Sequence, residues 1–114
     1  MNLNKPEIER LAILSEECGE VIQIIGKIMR HGYDSRHPND INGLNNRNML
    51  EKELGDLMFC FQFLHNYADV SFENICNYAD QKAVNITEYL HYNEVYLPGE
   101  RTRQERQSFK AEHD

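Results

Sequence analysis

Apolar residues recur at helical spacing in three separate stretches of the chain, and no stretch has the alternation of a β-strand. The first stretch follows Asn4, whose pairing with Glu7 predicts an N-terminal capping box, and Pro6 suits the first helical turn. We predict that this helix ends near Met29 or Arg30.

Helix one has two stripes of residues that should face other elements. Its apolar stripe consists of Leu11, Leu14, Cys18, Val21, Ile25 and Ile28. A second stripe, roughly a third of a turn away, consists of Ile13, Glu17, Glu20, Ile24 and Lys27. The helix is therefore predicted to make contacts through two faces, one dry and one built around acids.

A second helix is predicted to begin at Asn48, which with Glu51 forms another possible capping box, and to continue to about Tyr67. Residues 30–48 are then a loop rich in Asn, Gly and Pro, long enough to suggest a flap or a substrate-side loop. The core stripe of helix two consists of Leu50, Glu53, Leu57, Cys60 and Leu64. The neighbouring row of residues consists of Met49, Glu53, Asp56, Cys60 and Phe63.

Ser71 is predicted to cap a third helix, and the chain becomes polar after Pro98 and Gly99. The apolar face of this helix consists of Phe72, Ile75, Cys76, Ala79, Ala83, Ile86 and Leu90. We predict a catalytic helical domain over residues 1–95 and a polar tail over residues 96–114. Because three such helices bury only a modest core, the expected fold is an all-α antiparallel helical bundle completed by homo-oligomerisation, as a homodimer or homotetramer.

Charge and composition exclude several classes of protein. The chain of 114 residues has 12 Lys and Arg against 19 Asp and Glu, a net charge of -7 that argues against nucleic-acid binding. The N-terminus lacks an apolar signal core, and no apolar run is long enough to span a membrane, so no membrane partner is expected. Three widely spaced cysteines are predicted to be small buried thiols in a cytoplasmic protein.

Two groups of acids lie within apolar helical patterns, Glu16, Glu17 and Glu20 on helix one and Glu53 with Asp56 on helix two. Carboxylates at i, i+3 and i+4 are neighbours on a helix, and bare pairs about 5 Å apart repel by roughly 3 kcal/mol. A single Glu-x-x-Glu is usually a solvated face, but two such motifs on two apolar stripes favour a cation site. Oxygen ligands select a hard ion, so Mg²⁺ is expected, with Mn²⁺ possible.

Two other motifs are weaker. Arg30, His31 and Gly32 match the phosphate-binding triplet of histidine phosphatases, but that triplet follows a strand in an α/β fold, and here it follows a helix. Glu88 and His91 form one Glu-x-x-His, whereas ferritin-like di-iron sites need two. Both matches are interpreted as coincidence, although Arg30 remains a candidate for contact with a phosphate.

The acids Glu16-Glu17-Cys18-Gly19-Glu20, followed by Glu53-Leu54-Gly55-Asp56 on the next helix, resemble the paired signature of MazG-like nucleotide pyrophosphohydrolases. These enzymes belong to the all-α NTP pyrophosphatase superfamily, and the resemblance covers about residues 5 to 90. It implies Mg²⁺-dependent conversion of a (d)NTP to a (d)NMP and pyrophosphate, with a nucleoside triphosphate as substrate. The gap between the two motifs is longer than is usual in the family.

The resemblance also implies roles for individual residues. Glu17, Glu20, Glu53 and Asp56 would be ligands of the metal, and Glu16 a further ligand or the group that orients the attacking water. Lys82 and Asn85 are similar to phosphate-contacting residues on the family's third helix, with slightly different spacing. From position alone, Lys27 is a further candidate for contact with phosphate.

Three other functions remain open. Phosphoribosyl-ATP pyrophosphatase shares the acid signature, and only a test of substrates would distinguish that enzyme from a (d)NTP pyrophosphohydrolase. A catalytically inactive helical interaction module is the alternative from another class, which the intact acids disfavour. A di-iron carboxylate protein ranks third.

Overall fold

The computed structural model describes residues 2–96, and every regular element in that part of the chain is helical. Helix α1 is Lys5–His31, α2 is Asn46–Asn66 and α3 is Phe72–Asn85, followed by a short 3-10 helix at Ile86–Tyr89. The predicted all-α class is therefore confirmed. None of the helices within residues 2–96 is long and apolar enough to cross a membrane. The boundary predicted at residue 95 is untested, and the predicted tail lies almost entirely outside the described residues.

The chain forms two compact units that divide between Val70 and Ser71. In the first unit, α1 and α2 pack against each other as an antiparallel pair. Arg10, near the start of α1, contacts Asp69 just after α2, whereas Asn46 at the start of α2 donates from Nδ2 to the carbonyl of Gly32 just after α1. The second unit contains α3 and the 3-10 helix.

The start of α1 is the predicted capping box. Asn4 Oδ1 accepts from the Glu7 N–H at 2.8 Å, and Glu7 Oε1 accepts from the Asn4 N–H at 2.9 Å. The helix continues slightly beyond the predicted end, to His31, where Gly32 takes a φ of 86° and donates its N–H to the Ile28 carbonyl at 2.7 Å. Glycine adopts this left-handed φ without the steric cost of a Cβ.

The predicted start of α2 was wrong by about one turn. Asn45, not Asn48, is the cap, accepting from the Asn48 N–H at 2.8 Å. The first two amides of the helix instead donate to loop carbonyls, Asn46 N–H to Ser35 O at 3.0 Å and Arg47 N–H to Tyr33 O at 2.8 Å. These tertiary acceptors allow the helix to begin earlier than a local capping rule indicates, so that the loop is residues 32–45 rather than 30–48.

The end of α2 is fixed by an unusual backbone conformation and an ion pair. Ala68 has a φ of 61°, and the following N–H of Asp69 bonds to the Leu64 carbonyl at 2.9 Å. This turn presents Asp69 to Arg10, whose Nε and terminal nitrogen donate to the two carboxylate oxygens at 2.6 and 3.0 Å. The Arg10 guanidinium also lies 4.5 Å from the centre of the Tyr67 ring.

Within one chain, the acid-bearing stripe of α1 supplies the buried contact with α2, and whether the apolar stripe is covered by a second copy stays a prediction. Ile24, on the acid-bearing stripe, is only 3% exposed and packs in the core with Cys60 and Leu64, whereas Leu11 and Ile25 of the apolar stripe are 40% and 46% exposed. The acid-bearing face of α1 is thus the one turned toward α2. The predicted core stripe of α2 is confirmed by the burial of Cys60 and Leu64 at 1% and 4% exposure.

Two other local predictions had different outcomes. Ser71 caps α3 as predicted, accepting from the Asn74 N–H through Oγ at 3.3 Å. The α-helix ends at Asn85, however, and the apolar pattern that reaches Leu90 continues in the 3-10 helix instead. Of the three cysteines predicted to be buried, only Cys60 is; the other two, Cys18 and Cys76, are exposed and all three are free thiols.

Candidate metal centre

Four carboxylates meet where α1 packs against α2. Glu17 and Glu20 come from α1, Glu53 and Asp56 from α2, and one oxygen of each lies within 4.8 Å of the others. The spacing of three residues places each pair on one helical face, and the antiparallel packing brings the two faces together. The structure therefore assembles all four residues that the sequence suggested as metal ligands.

Two oxygens of this cluster are buried without a hydrogen-bond donor, Glu17 Oε2 and Glu53 Oε2. The Glu53 side chain is only 14% exposed. A buried carboxylate oxygen without a donor is unfavourable, because the group has lost hydration without a replacement. The arrangement therefore requires either a proton or a cation among the four side chains.

The raised pKa of Glu20 likewise indicates that the cluster takes up a proton or a cation. Hydrogen bonding to the carboxyl groups of Glu53 and then Glu17, with repulsion from both charges, raises the pKa of Glu20 to about 7. A proton held by Glu20 is thus shared with its neighbours when no cation is present. Deprotonation of Glu20 leaves four adjacent negative charges, which a divalent cation can neutralise.

The donor set fits a hard divalent cation. All four groups offer carboxylate oxygens, which are the ligands that Mg²⁺, Mn²⁺ and Ca²⁺ take in proteins. Neither histidine nor cysteine belongs to this group, so a soft or borderline metal has no preferred ligand in it. The structure therefore supports a site for a hard divalent cation at the predicted place.

Lys52 on α2 also reaches this cluster, although its side chain is 61% exposed. Its Nζ lies 3.3 Å from Asp56 Oδ2 and 3.6 Å from Glu53 Oε1. The contact with Asp56 is the main reason why the pKa of Lys52 is raised above its ordinary value. The i, i+4 spacing of Lys52 and Asp56 was the signal in the sequence that could have indicated this ion pair.

The predicted phosphate contacts of α1 lie beside the cluster. Lys27 and Arg30 line a cavity of about 680 Å³ together with Glu20 and Glu53. A Cβ at Gly26 would lie 3.3 Å from a terminal nitrogen of Arg30, so the guanidinium folds back over this glycine. The absence of a side chain at Gly26 therefore gives Arg30 room along the wall of the cavity.

Three further candidates lie elsewhere. Glu16 is exposed on α1 and does not belong to the group of four carboxylates, so its role remains a prediction. Lys82 and Asn85 lie near the end of α3 in the second unit, where both are exposed. Their suggested contact with phosphate also remains a prediction.

Comparison with known proteins gives a family match. A family model described as the MazG nucleotide pyrophosphohydrolase domain matches residues 7–88, a range that includes all four carboxylates of the cluster. No curated protein and no solved structure matches the chain.

Proposed function

This chain belongs to the MazG nucleotide pyrophosphohydrolase family, and on that premise we propose that it converts (d)NTPs to (d)NMPs and pyrophosphate with the help of Mg²⁺. The observation that carries the proposal is the convergence of Glu17, Glu20, Glu53 and Asp56, two of which have buried oxygens without a donor. The two elements that bear them are those in which the family signature was identified.

The proposed cation is held by Glu17, Glu20, Glu53 and Asp56. When bound, it supplies positive charge at the triphosphate oxygens, where negative charge develops as the phosphoanhydride breaks. Mn²⁺ is the alternative ion, because it accepts the same ligands.

The chain's own residues have two tasks in this reaction, binding of the phosphates and activation of the water. Lys27 and Arg30, beside the cluster, bind and orient the phosphates through charge-assisted hydrogen bonds. A carboxylate, with Glu16 as the candidate, orients water and accepts its proton as the water oxygen bonds to the α-phosphorus. The bond between that phosphorus and the bridging oxygen breaks, and the bridging oxygen leaves with pyrophosphate. Lys82 and Asn85 are proposed as further phosphate contacts.

We also propose that the enzyme is a homodimer or homotetramer. Ile22, Ile25 and Met29 on α1 are 69%, 46% and 83% exposed, although they are large apolar residues that a second copy could cover. The proposed location is the cytoplasm, which contains free nucleotides and keeps thiols such as Cys18 and Cys76 reduced.

The decisive experiment is phosphorus NMR of the products from a panel of NTPs, dNTPs and phosphoribosyl-ATP with Mg²⁺. We expect pyrophosphate and the corresponding monophosphate. Release of orthophosphate with a diphosphate remaining would contradict attack at the α-phosphorus. Cleavage of phosphoribosyl-ATP alone would assign the chain to the other substrate class, and no specific binding of Mg²⁺ or Mn²⁺ in calorimetry would favour an inactive module.

A further inference from the structure

A second cavity, of about 710 Å³, lies on the loop side of the first unit, and we call it the loop cavity. Its lining has four permanent cations against two carboxylates: Lys27, Arg30, Arg36 and Lys52 against Asp40 and Glu53. This positive excess is local, because the whole chain has a net charge of -7. A concave surface of this charge attracts anions.

Hydrogen bonds to α2 hold the loop that lines this cavity in place without a ligand. The carbonyls of Ser35 and Tyr33 accept the first two amides of α2, and Arg36 Nε donates to the Gly43 carbonyl at 3.0 Å. The guanidinium of Arg47 also covers the Tyr33 ring at 4.6 Å. An anion would therefore meet a largely preformed surface, which reduces the entropy lost in binding.

Two loop side chains retain donors for an anion. Among the described residues Arg36 uses only Nε in a hydrogen bond, so the two terminal nitrogens of its guanidinium can donate to phosphate oxygens. His37 Nδ1 accepts from the Asn39 N–H at 3.1 Å, which places the proton of the neutral ring on Nε2. Both side chains line the loop cavity, as does His31 at the end of α1.

The loop cavity adjoins the cavity beside the carboxylates. Lys27, Arg30, Met49, Lys52 and Glu53 line both, so that a basic wall connects the cluster with the loop. A linear chain of phosphates that begins at the carboxylates can therefore continue along Lys27 and Arg30 toward Arg36. Among the described residues that line the loop cavity, Asp40 is the loop carboxylate beside this path.

We propose that the loop cavity is a subsite for the terminal phosphates of a polyphosphate chain, with Arg36 and His37 as its specific donors. Within the proposed function, on which this assignment to the substrate rests, it receives the leaving pyrophosphoryl group while the α-phosphate lies at the carboxylates. The subsite would make the enzyme select substrates by the number of phosphates beyond the scissile bond.

The direct test uses inorganic tripolyphosphate as the probe, in calorimetry with EDTA at low ionic strength, so that neither a nucleotide nor turnover is involved. We expect Arg36→Gln to weaken binding by about tenfold through the loss of a charge-assisted contact. Asp40→Asn should strengthen it, because it removes the opposing charge. Lys5→Gln is the control for the loss of one positive charge, since Lys5 lies at the start of α1 and is not part of the cavity lining.

The opposite responses separate a binding role from a structural one, because loosening of the loop would not make Asp40→Asn bind more tightly. Equal effects of Arg36→Gln and Lys5→Gln, or no binding by the wild type, would overturn the subsite. If tripolyphosphate binds as expected but no nucleotide is cleaved, the proposed function fails and the anion subsite stands.

If nucleotides are cleaved, Arg36→Gln should raise KM for a triphosphate with little change in kcat. If Arg36→Gln instead weakens the binding of a nucleoside and of a triphosphate equally, the assignment of the subsite to phosphate is overturned.

Discussion

Glu20 on α1 and Glu53 on α2 bring carboxylate oxygens within 4.8 Å of each other, and the interaction with Glu53 is the largest cause of a Glu20 pKa of about 7. Two acids on neighbouring helices thus hold a proton at a pH where an isolated glutamate is ionised. Below about pH 7 the metal-free cluster therefore holds a proton on Glu20, and a cation has to displace that proton.

The pH dependence of the metal-free protein should follow from Glu20. Its pKa is raised from 4.5 to about 7, so the folded state binds a proton that the unfolded state releases between these values. The free energy of unfolding should therefore fall as the pH rises from about 4.5 through about 7. Asp69, whose pKa is lowered by Arg10, acts in the opposite direction, but only as the pH falls below 3.8.

Thermal melting in EDTA between pH 5 and pH 8 measures this dependence, and Glu20→Gln should reduce it. Competition with one proton should also raise the apparent affinity for Mg²⁺ by about tenfold between pH 6 and pH 8. A metal-free protein that becomes more stable across this range would contradict the shared proton.

Replacement of Glu53 by glutamine should separate metal binding from folding. Glu53→Gln removes a ligand and one charge of the cluster while keeping the shape of the side chain. We expect turnover to fall on the order of a hundredfold or more, with metal-free thermal stability unchanged or higher. Mg²⁺ should stabilise the wild type much more than the variant.

Glu51→Gln is the control for this experiment, because Glu51 is exposed on the same helix and bonds only to Asn48 among the described residues. Wild-type turnover in Glu53→Gln, or a loss of metal-free stability with an intact response to Mg²⁺, would show that Glu53 is a structural residue.

Lys52 should compete with the cation for the cluster. Its ammonium group pairs with Asp56 and Glu53, so Lys52→Gln removes a tethered positive charge that a cation must displace or oppose. Because the side chain is 61% exposed, we expect only a roughly two- to fivefold gain in Mg²⁺ affinity. Metal-free stability should fall slightly. Calorimetry measures the Mg²⁺ affinity of Lys52→Gln and of the control Lys5→Gln, a change at the start of α1. Weaker Mg²⁺ binding in Lys52→Gln would indicate that Lys52 supports the site instead of competing for it.

The backbone at Ala68 offers a test of the turn after α2. Its φ of 61° is unfavourable for a residue with a Cβ, so Ala68→Gly should raise the free energy of unfolding by about 0.5–1 kcal/mol. Ala12→Gly, at an exposed position within α1, should lower it by about 1 kcal/mol. Urea denaturation measures both changes. Destabilisation by Ala68→Gly would mean that the turn is not left-handed in solution.

The exposed apolar face of α1 should be an interface between copies. Light scattering at micromolar concentration should give a mass of at least twice the 13.5 kDa of one chain. Ile25→Asp should shift the protein toward the monomer, because a charge in a packed apolar interface is unfavourable. Ile41→Asp is the control, since Ile41 is 81% exposed on the loop rather than on α1. A wild type that is monodisperse at the mass of one chain would exclude the oligomer.

Local patterns were enough to predict the helical class and the two groups of acids, whereas the choice of four carboxylates as ligands came from the resemblance to a family. The spacing of Glu17 and Glu20, and of Glu53 and Asp56, puts each pair on one face of its helix whatever the tertiary structure is. The caps at Asn4 and Ser71 were likewise predictable, because their hydrogen bonds are made within one turn of their own helix.

Other features depended on residues far apart in the chain. The start of α2 moved to Asn46 because the carbonyls of Ser35 and Tyr33 accept its first amides, and no local rule includes such partners. The apolar stripe of α1 did not become its buried face, because packing against α2 selected the side of the helix that carries Ile24 and the acids. The sequence alone placed the carboxylates in pairs, one pair on each helix. The antiparallel packing of α1 and α2 decided that the two pairs meet. Only that packing brings the carboxylate oxygens within 4.8 Å of one another and buries two of these oxygens without a hydrogen-bond donor.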